Sequence, residues 1–241
     1  VWDQKVVGSS PTSPIFKLIM FFFRKNYLIV IFFGADLALV LLHFFLRKKL
    51  GFFDLDAEGN LASLYSGVKL WIGATAALLL AALFYQLKKP RWESALWLCL
   101  ASGLAYIGVD DMMAIHERLG FVLNNIFGLG GFYGESFNWL IYFTPAAILG
   151  LATLGAVLRH LWQNEKVSAY WFLAGVILWL GGIGVEWLGR YLLLQLKINV
   201  PLYYFLIVAE EGLEMFGASC LIFAILIYGR KLFKKHIQIK L

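Results

Sequence analysis

Six long, almost continuously apolar stretches constrain the fold of this chain more than any other feature. A membrane hydrocarbon core about 30 Å thick is crossed by roughly 20 apolar residues in a helix. All six stretches are long enough: 27–46, 61–87, 93–119, 137–162, 167–196 and 202–232. They are apolar throughout and do not alternate as the strands of a membrane barrel would. We therefore predict an all-α polytopic membrane protein with six transmembrane helices in one bundle.

The composition excludes several other classes of protein. Only 15% of the 241 residues are charged and 61% are hydrophobic, whereas about a quarter of the residues in a soluble domain are charged. A soluble globular enzyme, a nucleic-acid-binding domain and a disordered protein are thereby excluded. The net charge of +6 does not indicate nucleic acid, because the basic residues flank apolar stretches, where they act as topology signals. The expected surroundings are membrane lipid.

The first 19 residues do not share this character. The segment 1–14 is polar and rich in Ser and Pro, and it resembles a translated tRNA gene, whose T-arm would encode Gly8-Ser9-Ser10-Pro11. We expect 1–19 to be a disordered or artefactual leader, with the natural start near Met20. A single six-helix domain is predicted over 20–235, followed by a short basic tail at 236–241.

Lysine and arginine counts predict the orientation of the bundle. Fourteen such residues flank the membrane on the side of the two termini and seven on the opposite side. Because cytoplasmic loops carry an excess of Lys and Arg, both termini are predicted to be cytoplasmic. The basic cluster from Arg47 to Lys49 lies on the opposite side and favours the reverse orientation.

Seven acidic residues lie inside the predicted helices, where they are costly. One ionised carboxylate at a helix centre costs roughly 2.5–3.5 kcal/mol even on the mildest insertion scale. A chain that only had to span the membrane would not carry so many. The seven acidic residues are Asp110, Asp111 and Glu117 in the third helix, Glu186 in the fifth, and Glu210, Glu211 and Glu214 in the sixth.

The depths of these acids agree between helices. With a rise of roughly 1.5 Å per residue, Asp110 and Glu186 lie about 6–8 Å from the midplane on the outer side, and Glu214 about 3 Å. Glu210 lies about 9 Å out by the same rise. In a continuous third helix, His116 points away from Asp110, whereas Glu117 shares its face. We therefore expect a carboxylate-rich site in the outer half of the bilayer.

Three explanations account for so many neighbouring carboxylates. The first is a divalent metal ion (Mn, Fe, Mg, Ca or Zn), since oxygen ligands with one imidazole suit such ions. The second is protonation of buried carboxyl groups, as in a proton or cation pathway. The third is structural pairing with Arg190. In the metal hypothesis the ligands are Asp110, Glu186, Glu210, Glu214, His116 and Glu117, supported by Asp111, Glu211, Arg190 and Glu135.

Several of these segments resemble the motifs of one family. Asp110-Asp111-Met112-Met113-Ala114-Ile115-His116-Glu117 resembles the DE-x4-HE motif of a family of bacterial multi-pass membrane proteins without an assigned activity. Glu210-Glu211-Gly212-Leu213-Glu214-Met215-Phe216-Gly217 resembles its EE-x-x-E-M-x-G motif. Two positions depart from the family's motifs. Asp111 stands where the first motif usually has Glu, and Ala62-Ser63-Leu64-Tyr65 stands where the family's first-loop pattern usually has P-T-W-F. The resemblance implies a location in a bacterial cytoplasmic membrane and implies that these acids belong together. It implies no reaction.

Three functions remain open. A metal site could belong to an enzyme that hydrolyses or oxidises a lipid-like substrate. The same acids could carry protons or cations through a transporter. The chain could also be a non-catalytic subunit of a membrane complex. No catalytic residue and no organic cofactor is predicted, because the chain has no phosphate-binding Gly loop, no Gly-x-Ser-x-Gly and no CxxCH.

Five smaller features carry predictions of their own. Asn60 or Ser63 is expected to cap the second helix. Asp36 and His43 are interpreted as an interior pair, and His160 as a solvated residue. The segment 120–134 is expected to lie at the membrane surface as a loop or a lid. Close helix packing is predicted at Gly175, Gly181, Gly182 and Gly184.

Overall fold

The computed structural model describes residues 27–47, 50–55, 60–127, 139–196 and 200–238. These residues form seven α-helices and one 3-10 helix, Gly51–Phe53, and they include no strand. All helices except α4 are long and apolar enough to span a membrane, so the all-α, six-span prediction is confirmed. In chain order they are α1 Tyr27–Leu46, α2 Leu61–Gln86, α3 Arg91–Met113, α4 Ile115–Phe127, α5 Trp139–Asn164, α6 Lys166–Leu196 and α7 Val200–Gln238. The leader 1–19 lies outside the described residues.

The third predicted helix is divided in two at Ala114. This residue is left-handed (φ 51°, ψ 43°), and its backbone N–H bonds to the carbonyl of Asp110, which is a common way to end a helix. The prediction of one helix from 93 to 119 was therefore wrong. The short α4 that follows places His116 in a new direction relative to α3.

Helices α2 and α7 form the centre of the bundle. Of their most apolar windows, 61% and 72% of the residues are buried, compared with 28% or less in the other spanning helices. The most extensive contacts join α6 to α7 and α2 to α3. The start of α2 is fixed by a capping box, in which the Asn60 side chain accepts from the backbone N–H groups of Ala62 and Ser63. This confirms the predicted cap.

The two ends of the bundle differ in chemistry. We call the end with the α1–α2 connection and the α3–α4 junction the acidic half. The basic half holds the connections 87–90 and 165 together with the last turns of α7, where Lys231 forms an ion pair with Glu165. His160 of α5 is only 4% exposed there, so its interpretation as a solvated residue was wrong. Its Nε2 lies 2.9 Å from the Tyr228 hydroxyl.

Helices α2 and α3 approach closely where two glycines face each other. A Cβ atom on Gly108 would lie 2.8 Å from Trp71 Cδ1 and 2.9 Å from the Gly67 carbonyl oxygen. A Cβ on Gly67 would lie 2.5 Å from the Gly108 carbonyl. Without a hydrophobic driving force between helices in lipid, such close backbone packing supplies much of the attraction.

Replacing Gly108 with Leu should therefore destabilise the bundle by about 1–3 kcal/mol, the usual cost of overpacking. Gly103→Leu is a matched control on the same helix, because nothing lies within 4 Å of a Cβ at that position. Equilibrium unfolding of both variants in detergent micelles measures the difference. Equal losses of stability would show that the α2–α3 approach is not tight at Gly108.

Candidate functional site

The candidate site is centred on Glu214 of α7. This half-buried side chain lies against Gly182 of α6, because a Cβ at position 182 would be 2.6 Å from Glu214 Cγ. The Glu214 carboxyl group is also close enough to Asp111, Glu186 and His116 for their charges to interact. The structure thus brings together acids from α3, α6 and α7, three helices that are far apart in sequence.

Asp110 and His116 bind to each other across the break at Ala114. The Asp110 carboxylate accepts the His116 backbone N–H at 2.8 Å, and its second oxygen lies 2.7 Å from His116 Nδ1. The expectation that His116 points away from Asp110 was therefore wrong, since it assumed a continuous helix. Both Asp110 oxygens are occupied, and the first also satisfies an N–H that the start of α4 would otherwise leave unpaired.

Asp111 links this pair to the centre of the site. Its charge interacts with those of Asp110, His116 and Lys69, and its side chain is hydrogen-bonded to Ser66 of α2. Within the described part of the chain, its buried Oδ2 has no hydrogen-bond partner. Sequence reasoning gave Asp111 only a supporting role, but its position close to Glu214 makes it a central member of the cluster.

A fully buried ion pair lies beside the acidic cluster. Lys69 Nζ on α2 donates to Asp36 Oδ1 on α1 at 2.7 Å and to the Met215 carbonyl at 2.8 Å. The hydroxyl groups of Tyr65 and Ser219 also donate to the Asp36 carboxylate, at 2.9 and 2.6 Å. These hydrogen bonds join α1 to α2, α1 to α7 and α2 to α7, so the network links the three helices.

Sequence reasoning missed Lys69, which it treated only as a topology residue. Its position well inside an apolar helix was the available signal. Asp36 and His43 are both buried, as predicted, but they do not pair with each other. His43 Nδ1 instead accepts the backbone N–H of Leu55 at 2.9 Å.

The other predicted ligands and supporting residues lie on α4, α6 and α7 or outside the described residues. Glu210 and Glu211 are half-buried on α7, and both have interactions of their own. Glu117 lies in α4 and Arg190 in α6, whereas Glu135 falls outside the described residues. Over the described ranges, no three His, Cys, Asp or Glu side chains are arranged to hold a metal ion. The predicted ligand set therefore stays a prediction.

The fold and this cluster define an integral membrane protein of six spanning helices with carboxyl groups gathered inside the bundle. A family model described as a domain of unknown function, DUF8692, matches residues 28–228. The match extends from the start of α1 into the last third of α7, so the chain belongs to this family. No curated protein and no solved structure matches the chain.

Proposed function

We propose that the protein is a proton- or cation-coupled membrane transporter in which Glu214 binds the transported positive charge. The observation that carries this proposal is the proximity of Glu214 to both Asp111 and Glu186. Three carboxylates in low-dielectric surroundings repel one another and lose their hydration. A bound proton or cation reduces the repulsion between the carboxylates and offsets their lost hydration. The buried Lys69 side chain is paired with Asp36 at 2.7 Å.

The arrangement favours a proton over a metal ion. A divalent cation requires several donor oxygens within roughly 2.0–2.6 Å of one point, and the described side chains offer no group of three such donors. A proton requires only one carboxyl oxygen. Glu214, whose neighbours raise the cost of its negative charge, is the acid best placed to take it.

Towards the acidic half, the surroundings of Glu214 supply a series of further titratable groups. Towards the acidic half lie Asp111 and then the half-buried Asp110–His116 pair, and chains of such groups relay protons in membrane proteins. Towards the basic half lies the Asp36–Lys69 pair, which is bonded to Ser219 and Met215, and beyond it a core in which Phe84 and Trp97 are fully buried. In the proposed cycle, release on that side requires a rearrangement of the helices.

Reconstituted protein should conduct protons or cations down a pH gradient, and Glu214→Gln should reduce the flux to that of protein-free liposomes. Gln has nearly the same size as Glu, but its amide group is neither protonated nor deprotonated at neutral pH. Glu93→Gln is the matched control, because Glu93 lies in the first turn of α3 in the basic half. Undiminished flux through Glu214→Gln would refute the proposal.

Binding of a divalent metal ion is the second candidate, because the types of donor group suit such an ion even though the described side chains do not surround one point. The Glu214 and Asp111 carboxyl groups both interact with the His116 imidazole, and such a donor set suits Mn or Fe better than Zn. Such an ion could activate water against a lipid-like substrate. Elemental analysis of purified protein should then find stoichiometric metal that Glu214→Gln removes. Flux by metal-free protein would favour transport instead.

A further inference from the structure

Three glycines recur at intervals of seven residues along α6. Gly175, Gly182 and Gly189 all face α7, where a Cβ atom would meet Leu221, Glu214 and Leu206 in turn. A seven-residue interval keeps side chains on one face of a helix that packs at a small angle on its neighbour. The three glycines therefore follow the whole α6–α7 contact.

Gly182 differs from the other two in what it faces. A Cβ there would lie 2.6 Å from Glu214 Cγ, 3.2 Å from Glu214 Oε1 and 3.3 Å from the Glu210 carbonyl oxygen. The first distance is shorter than carbon atoms tolerate, so the Glu214 side chain would have to move. At Gly175 the nearest atoms belong to Leu221 and Gly217, and at Gly189 they belong to Leu206.

The neighbouring glycines do not impose this constraint. A Cβ on Gly181 would make only an ordinary 3.6 Å contact with Leu213, and one on Gly184 would meet nothing within 4 Å. The prediction of close helix packing is thus correct for Gly175 and Gly182, and it is wrong for Gly184. Within this glycine-rich segment, the contact with an acid is specific to position 182.

We propose that Gly182 is a positioning residue for the cation-binding carboxyl group of Glu214. Gly182 and Glu186 are four residues apart and share one face of α6. The space left by the missing side chain at 182 therefore holds Glu214 one helical turn from Glu186 and within reach of Asp111. This inference rests on the proposed function, since it specifies how the proposed binding group is placed.

Infrared spectroscopy of the full-length protein in lipid nanodiscs tests the placement directly. The carboxyl absorption that Glu214→Gln removes identifies the Glu214 group. Gly182→Ala should shift this absorption and lower the cation flux at least severalfold. Gly175→Ala is the control, because its Cβ would crowd Leu221 Cγ at 2.7 Å and the Gly217 carbonyl at 2.8 Å. It disturbs the same contact without touching an acid, and should leave the absorption in place.

The outcomes separate the two proposals. Loss of flux in Glu214→Gln with identical spectra for Gly182→Ala and wild type would overturn the role of Gly182 and leave the transporter proposal standing. A shifted absorption in a protein that conducts nothing would support the placement and refute transport. If Gly182→Ala does not fold, combining it with Glu214→Ala should restore folding. Failure of that double variant to fold would contradict a clash with the Glu214 side chain.

Discussion

Lys69→Met is expected to lower the free energy of unfolding by about 3–5 kcal/mol, because removing one partner of a buried ion pair strands the other charge. Asp36 has no exposed surface, and the two hydroxyl groups that remain donate to it without neutralising it. The loss of the bond from Lys69 Nζ to the Met215 carbonyl adds to the effect. Equilibrium unfolding in micelles or bicelles measures the change.

The control is the variant that removes both charges. Replacing a buried ion pair with apolar residues is often neutral or stabilising, so Lys69→Met with Asp36→Leu should recover most of the stability lost in the single variant. A double variant that is no more stable than Lys69→Met would show that the pair is not coupled as described. Recovery would also identify the pair as a structural element, separate from the cation-binding acids.

Trp97→Ala should cost about 3–5 kcal/mol, the typical range for truncating a fully buried Trp. The Trp97 ring stacks on Tyr228 with centroids 5.4 Å apart and lies edge-on to His160 at 6.1 Å. Within the described part of the chain, its Nε1 has no hydrogen-bond partner. The loss therefore measures packing in the basic half of the bundle, with no contribution from a broken hydrogen bond.

Leu98→Ala provides the comparison at the adjacent position. Leu98 is 50% exposed on the lipid-facing side of α3, where lipid chains can fill the space that the truncation leaves. Its loss of stability should be a small fraction of that of Trp97→Ala in the same unfolding experiment. Equal losses of stability in the two variants would mean that the Trp97, Tyr228 and His160 rings are loosely packed.

The fold was readable from the sequence because membrane spans obey a simple length requirement. All six were found, and α1 has the predicted bounds, 27–46. The break at Ala114 was not readable, because Ala has no preference for the left-handed conformation that it adopts there. One residue with φ 51° therefore separated α3 from α4 and turned His116 towards Asp110.

The site was readable only in part, for a different reason. The rise per residue of a helix places acids of several helices at one depth, and Glu214 does lie close enough to Glu186 and to Asp111 for their charges to interact. The choice of neighbours depends on the register between helices, which composition does not encode. The contact between Gly182 and Glu214 and the pairing of Lys69 with Asp36 both depend on that register.

The central claim is that the Glu214 carboxyl group interacts electrostatically with both Glu186 and Asp111, and infrared difference spectra of single variants test it most directly. The account predicts that the carboxyl absorption lost in Glu214→Gln is shifted in both Glu186→Gln and Asp111→Asn, and is unchanged in the distant Glu93→Gln. If neutralising Glu186 and Asp111 leaves the Glu214 absorption where it is in the wild type, the three groups do not share a site and the account is contradicted.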